Sequence, residues 1–76
     1  MTLSELSPGQ SAKITGFCNM AKETRKKLMI MGLLPDTPIT LIRRAPMGDP
    51  LQIEARGVTL AVRNSIAKSI ALEVIE

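Results

Sequence analysis

The sequence predicts a mainly β chain with a small helical content: a partly open, five-stranded barrel. One helix is inserted between the first and second strands, and a short helical turn precedes the last. Three observations carry that prediction. Apolar and polar residues alternate with a period of two in several short stretches separated by turn chemistry. Two of those stretches, Leu51–Ala55 and Val58–Val62, are joined by only Arg56-Gly57, the spacing of a tight hairpin. The segment Met31-Gly32-Leu33-Leu34-Pro35 stops a helix sharply and hands the chain to a strand.

Taken in order, Thr2-Leu3-Ser4-Glu5 has the Thr-x-x-Glu spacing of a capping box, so a helical turn begins the chain and Leu3 and Leu6 cover one end of the core. Ser7-Pro8-Gly9-Gln10 is a turn. Ala12, Ile14 and Gly16 alternate with Lys13, Thr15 and Phe17 as a first strand, with Gly16 marking a bulge. The main helix is expected over about Ala21–Met31, with Asn19 as its N-cap and Ala21, Thr24, Leu28 and Met31 on one stripe. Gly32 suits the positive φ that follows a helix end, and Pro35 keeps the helix from resuming. Thr37–Arg44 is the second strand, with Ile39 and Leu41 on one face and Pro38 at its start, where the missing amide donor does no harm. Ala45–Pro50 is a loop, the hairpin follows, Asn64-Ser65 opens a single turn, and Leu72 and Val74 lie in the last strand. Few free edges remain when such strands curl into a barrel of the SH3-like kind.

The 76 residues suffice for a single domain, 1–76, with a modest core. That core is aliphatic, since Phe17 is the only aromatic. One cysteine, Cys18, cannot form an internal disulfide and reads as a buried structural thiol. Met1–Glu5 lacks the basic start and apolar run of a signal peptide, and Leu28–Leu34 is too short to span a bilayer, so a cytoplasmic location is expected.

Composition narrows the chemistry further. With no histidine, Ser-His and Cys-His nucleophile pairs are ruled out, and no metal site with three or four converging ligands is expected. There is no Gly-x-x-x-x-Gly-Lys phosphate loop either, so no nucleotide cofactor and no small-molecule substrate are expected, and the chain does not read as an enzyme. A nucleic-acid surface would have to use Lys22, Arg25, Lys26, Lys27, Arg43 and Arg44. It would lack stacking aromatics, so no nucleic-acid partner is expected. The absence of Trp and Tyr equally removes the aromatic groove that Pro-rich peptides need.

What remains is an apolar excess around the elbow. Met29, Leu33, Leu34, Met47 and Pro50, with Gly48 and the rim residues Arg25, Lys26 and Asp49, are expected to form a protein-docking patch with adaptable methionine contacts. Taken singly, Leu33 and one of the methionines read better as core than as patch. The Ala45–Pro50 loop reads equally well as plain turn chemistry, although its two prolines would suit a stiff recognition loop.

Arg25-x-x-Leu28-x-x-Met31-Gly32-Leu33-x-Pro35, then Ala45-Pro46-x-Gly48-Asp49-Pro50, then Leu60-Ala61-x-Arg63, resembles FeoA, the small cytosolic component of the bacterial ferrous-iron transport system. The resemblance implies an SH3-like barrel with an inserted helix. It also implies an accessory or regulatory role in iron homeostasis, exercised on the cytosolic side of the FeoB permease, which carries a GTPase domain. The module is similar, too, to the C-terminal domain of iron-dependent repressors, so the alternative is a stand-alone regulatory module acting on a metalloregulator or by self-association. An arginine such as Arg25 or Arg63 offered in trans to a GTPase site would be a further role. Where the family usually has glycine after the elbow proline, this chain has Asp36. The transition-metal binding sometimes attached to the family draws little support from one Cys and no His.

Overall fold

Five antiparallel strands form one open, curled sheet in the order β4-β3-β2-β1-β5. The strands are β1 (Ser11–Phe17), β2 (Pro38–Arg44), β3 (Leu51–Ala55), β4 (Val58–Val62) and β5 (Ile70–Val74). Helix α1 (Lys22–Ile30) lies between β1 and β2, and the short α2 (Asn64–Ala67) precedes β5. This computed structural model describes residues 1–75.

The alternation read from the sequence is the alternation that is buried. Ala12 and Ile14, Ile39 and Leu41, Leu51, Ile53 and Ala55, and Ile70 and Leu72 all face the core. Leu3, Leu6, Leu28, Leu33 and Ala67 close its ends. No aromatic is fully buried; Phe17 packs against the cluster from its margin. Burying a Leu or Ile side chain contributes about 1.5–3 kcal/mol each, so this core depends on many equal aliphatic contributions and not on a single anchor.

Local chemistry fixes the joints. At the hairpin, Arg56 and Gly57 both have positive φ, +55° and +81°, the signature of a two-residue type I′ turn whose twist matches the flanking strands. β1 slips register between Ile14 and Gly16, where the bulge was expected. A second irregularity interrupts β2 between Leu41 and Arg43, and Ile42, on the face opposite Ile39 and Leu41, is exposed.

The elbow is a Schellman motif. Gly32, at φ +97°, donates its amide to the Met29 carbonyl at 3.0 Å, and Leu33 donates to Leu28 at 2.9 Å. Leu33 and Leu28 then bury together, the apolar contact that completes the motif. The next turn closes when Thr37 donates to Leu34 O at 3.1 Å, with Pro35 and Asp36 at its centre. Asp36 takes φ +69°, so the turn is the type II form that glycine would favour there. Aspartate tolerates that region better than most L-residues, and the fold retains its geometry.

Two expectations need correction. Asn19 is not the cap of α1; it adopts φ +48° in the preceding turn, and Ala21 occupies the N-cap position without a side-chain bond. Cys18 is exposed instead of buried, because its amide, which donates to Ser69 O at 2.7 Å, holds that turn at the surface beyond β1.

Candidate protein-docking surface

Helix α1 rests on the barrel through one fully buried residue, Leu28. Its sequence carries more apolar side chains than that single contact can cover. Met29, Ile30 and Met31 therefore crowd the last turn at 40%, 76% and 44% exposure. Ahead of them Lys22, Arg25, Lys26 and Lys27 all reach into solvent. Among the described residues none of these cations lies within 4 Å of a carboxylate; the single ion pair, Lys13–Asp36 at 4.0 Å, is exposed and contributes little.

The nine residues expected to form the patch divide in three ways. Leu33 is fully buried, so it belongs to the core and cannot touch a partner while the fold is intact. The reason is the Schellman geometry, which turns the residue after Gly32 inward. Arg25, Lys26, Met29 and the half-buried Leu34 stay at the surface around α1 and the elbow. Met47, Asp49 and Pro50 are exposed and Gly48 is half-buried in the other loop, where Met47, 92% exposed, contacts almost nothing. Gly48 N donates to Ala45 O at 2.7 Å to close that turn, and the Asp49 Oδ1 accepts the amide of Asn64 at 2.9 Å. Asp49 is thus partly spent on seating α2.

A concave feature of the surface lies beside these residues and is lined by none of them. A cleft of about 230 Å³ opens between α1 and the end of β4. Leu28, Met31, Val62 and Ile66 give it apolar walls, Ala61 leaves it room, and Lys27 and Arg63 stand at its mouth. Neither cation has a carboxylate partner among the described residues. Nearby, Asn64 Oδ1 is buried with no hydrogen-bond partner among the described residues. The sequence signal was available in part: Leu60-Ala61-x-Arg63 stood out as a motif, and Thr24, Leu28 and Met31 as a stripe. What periodicity could not show is that the stripe only half reaches the barrel and leaves a gap.

Chemically, the arrangement can bind. An apolar cleft with two cations at its mouth suits an aliphatic side chain flanked by a carboxylate. Two cations counted toward a phosphate-binding surface have partners within the chain: Arg44, half-buried, donates to the Ser4 and Leu6 carbonyls at 2.6 and 2.8 Å, and Arg43 Nε donates to Gln52 Oε1 at 3.0 Å on the surface.

A family model described as the FeoA domain matches residues 1–74. The chain belongs to the FeoA family. Its structure is similar to the FeoA protein of Chlorobium tepidum, at 32% identity and TM-score 0.94, covering 100% of this chain and 71% of that one. It is similar also to Stenotrophomonas maltophilia FeoA complexed with zinc, at 25% identity and TM-score 0.82, covering 96% and 89% of the two chains. That protein is described as a procaryotic SH3-domain protein and a candidate ferrous-iron-transport activating factor. A manganese-dependent transcriptional repressor shares the fold at 12% identity and TM-score 0.90 over 99% of this FeoA-family chain and 36% of its own length. The donor set for a zinc site is wanting here: no three Cys, His, Asp or Glu residues gather among the described residues, and the exposed Cys18 stands by itself.

Proposed function

We propose that this FeoA-family chain is a non-enzymatic accessory of ferrous-iron uptake, a single domain that docks on the cytosolic, GTPase-bearing part of a FeoB-type permease. The observation that carries the reading is the cleft between α1 and β4. Family membership supplies the transport context, and the cleft supplies an apolar, cation-rimmed surface of the kind partners use. Around it, Arg25, Lys26, Met29 and Leu34 widen the contact. No helix among the described residues is long and apolar enough to cross a membrane, so on this reading the chain reaches the bilayer only through its partner.

The test is capture of the permease from native membranes by tagged wild-type protein and by Met31→Asp, which changes the cleft wall without touching the core. Recovery of a GTPase-bearing permease by wild type, with at least a tenfold loss in the variant, is the expected result. Equal recovery by both would remove the cleft from the interface. No recovery by either, with both folded, would overturn direct docking.

A further inference from the structure

Natural sheets protect their edges with charges, prolines, bulges or a covering segment, because an unpaired row of amides and carbonyls is a template for another strand. The two edges of this sheet are treated differently. Beyond β5, the N-terminal segment forms a bridge from Thr2 to Ala71, and Leu72 donates its amide to Met1 O at 2.7 Å. Glu73 adds a charge within β5 itself.

β4 has none of these devices. Its sequence, Val58-Thr59-Leu60-Ala61-Val62, contains no charge and no proline, and its pairing with β3 runs from Leu51–Val62 to Ala55–Val58 without a bulge. In a hairpin with a two-residue turn, the flanking pair is hydrogen-bonded and alternate pairs follow suit. Val58, Leu60 and Val62 therefore spend their backbone groups on β3. Thr59 and Ala61 aim their N–H and C=O groups away from it. No other backbone or side-chain group among the described residues bonds to them.

The cleft begins where this edge ends, since Ala61, Val62 and Arg63 line both. Resting on the docking reading above, we infer that the partner binds by adding an extended acidic segment as a sixth strand along β4. Its backbone pairs with Thr59 and Ala61, one aliphatic side chain enters the cleft, and a carboxylate meets Lys27 and Arg63. Pairing gives affinity, while the cleft and its cations select the sequence.

Charge argues for a partner segment over a second copy of this chain. Two β4 strands paired antiparallel about Leu60 would set Gly57 of each opposite Arg63 of the other, with Arg56 one residue away. Both ends of such a dimer would then juxtapose arginines, which is repulsive. The same arginines, with Lys27, attract an acidic strand.

Backbone amide hydrogen exchange of the wild-type protein, with and without detergent-solubilised FeoB-type permease, tests this directly. Expected is at least tenfold slower exchange at Thr59 and Ala61 in the complex. The second arm is Ala61→Pro, which deletes an outward amide and leaves the β3 ladder intact, and which should weaken permease binding at least tenfold. Binding with unchanged exchange at both amides would overturn strand addition and leave docking standing. Absence of wild-type binding would overturn the docking reading and this inference with it. Protection that appears without permease and grows with protein concentration would assign the edge to a second copy and overturn the acidic-segment occupant.

Discussion

The β5 and β4 edges are both five-residue strands of the same sheet, yet one is sealed and the other open. The sealed edge is maintained by a chain of dependencies. Leu3 and Leu6 are fully buried and pin the first turn; Arg44 bridges that turn to β2 by two carbonyl bonds; Glu5 closes its capping box on the Thr2 amide at 2.9 Å. The open edge is held by its hairpin and by Val62 and Leu60 on the core side, and nothing covers its outer row of backbone groups among the described residues. The difference teaches where stability and binding are separated in this molecule: substitutions near β5 should be read in unfolding experiments, and substitutions on β4 in association experiments.

Leu6→Ala should give the largest effect. Removing a fully buried leucine from under the cover costs about 2–5 kcal/mol, a large share of what a domain of this size has. The urea midpoint should fall accordingly, and exchange at the Leu72 amide should accelerate more than exchange in the β3–β4 hairpin. A uniform loss with no bias toward Leu72 would break the claim that this segment seals one edge in particular.

Arg44→Ala comes next. It leaves the Ser4 and Leu6 carbonyls without their charged donor, and about 1.5 kcal/mol is expected, read again from the urea midpoint. An unchanged midpoint would mean that water replaces the guanidinium without loss, and the bridge would be ornamental.

Glu5→Gln is subtler and depends on pH. The Thr2 amide, and after it the Thr2 hydroxyl, holds the Glu5 carboxyl below the usual glutamate range, slight burial opposes, and the N-terminal charge assists. A carboxyl depressed in the folded state stabilises the fold above its unfolded pKa, and that contribution disappears as pH falls through its folded-state value. Wild type and variant should therefore differ at neutral pH and converge in acid. A difference that persists below the folded-state titration would assign the effect to something other than the carboxylate.

Thr59→Lys should have the smallest effect on folding, within about 0.5 kcal/mol, because the residue is exposed on a strand whose outer side is unpaired among the described residues. A loss comparable with that of Leu6→Ala would mean that β4 is covered after all, and the contrast between the edges would fall.

Much of the fold was legible because its signals are local. Arg56-Gly57 specifies its turn, Gly32 its helix end, Pro38 its strand start, and Gly16 its bulge, each through backbone preferences that act within a few residues. The docking patch was legible only in outline. Whether Leu33 faces in or out is decided by the elbow's hydrogen bonds, which turn an apolar excess into a core residue. Whether Met31 lies on the barrel or beside it depends on the distance between α1 and β4, and helical spacing carries no record of that. Asn19 has the chemistry of a cap, but it took up a left-handed turn instead, a conformation asparagine accepts almost as readily. Arg44 looked like one more surface cation because its partners are backbone carbonyls some forty positions earlier.

The bridge between Thr2 and Ala71 also has a consequence in time. The β3–β4 hairpin closes across two residues, a step of about 1–10 μs in peptides. The cover over β5 must close a loop of nearly the whole chain, and closure entropy grows with loop length. Loop length alone therefore favours building the open edge before the sealed one, an expectation that folding kinetics test. Ile53→Val should accordingly slow folding, whereas Leu72→Ala should mainly hasten unfolding, a partition that stopped-flow chevrons resolve. A newly made chain exposes its template strand throughout assembly, and a partner able to pair with β4 can meet it before Met1 has found Leu72.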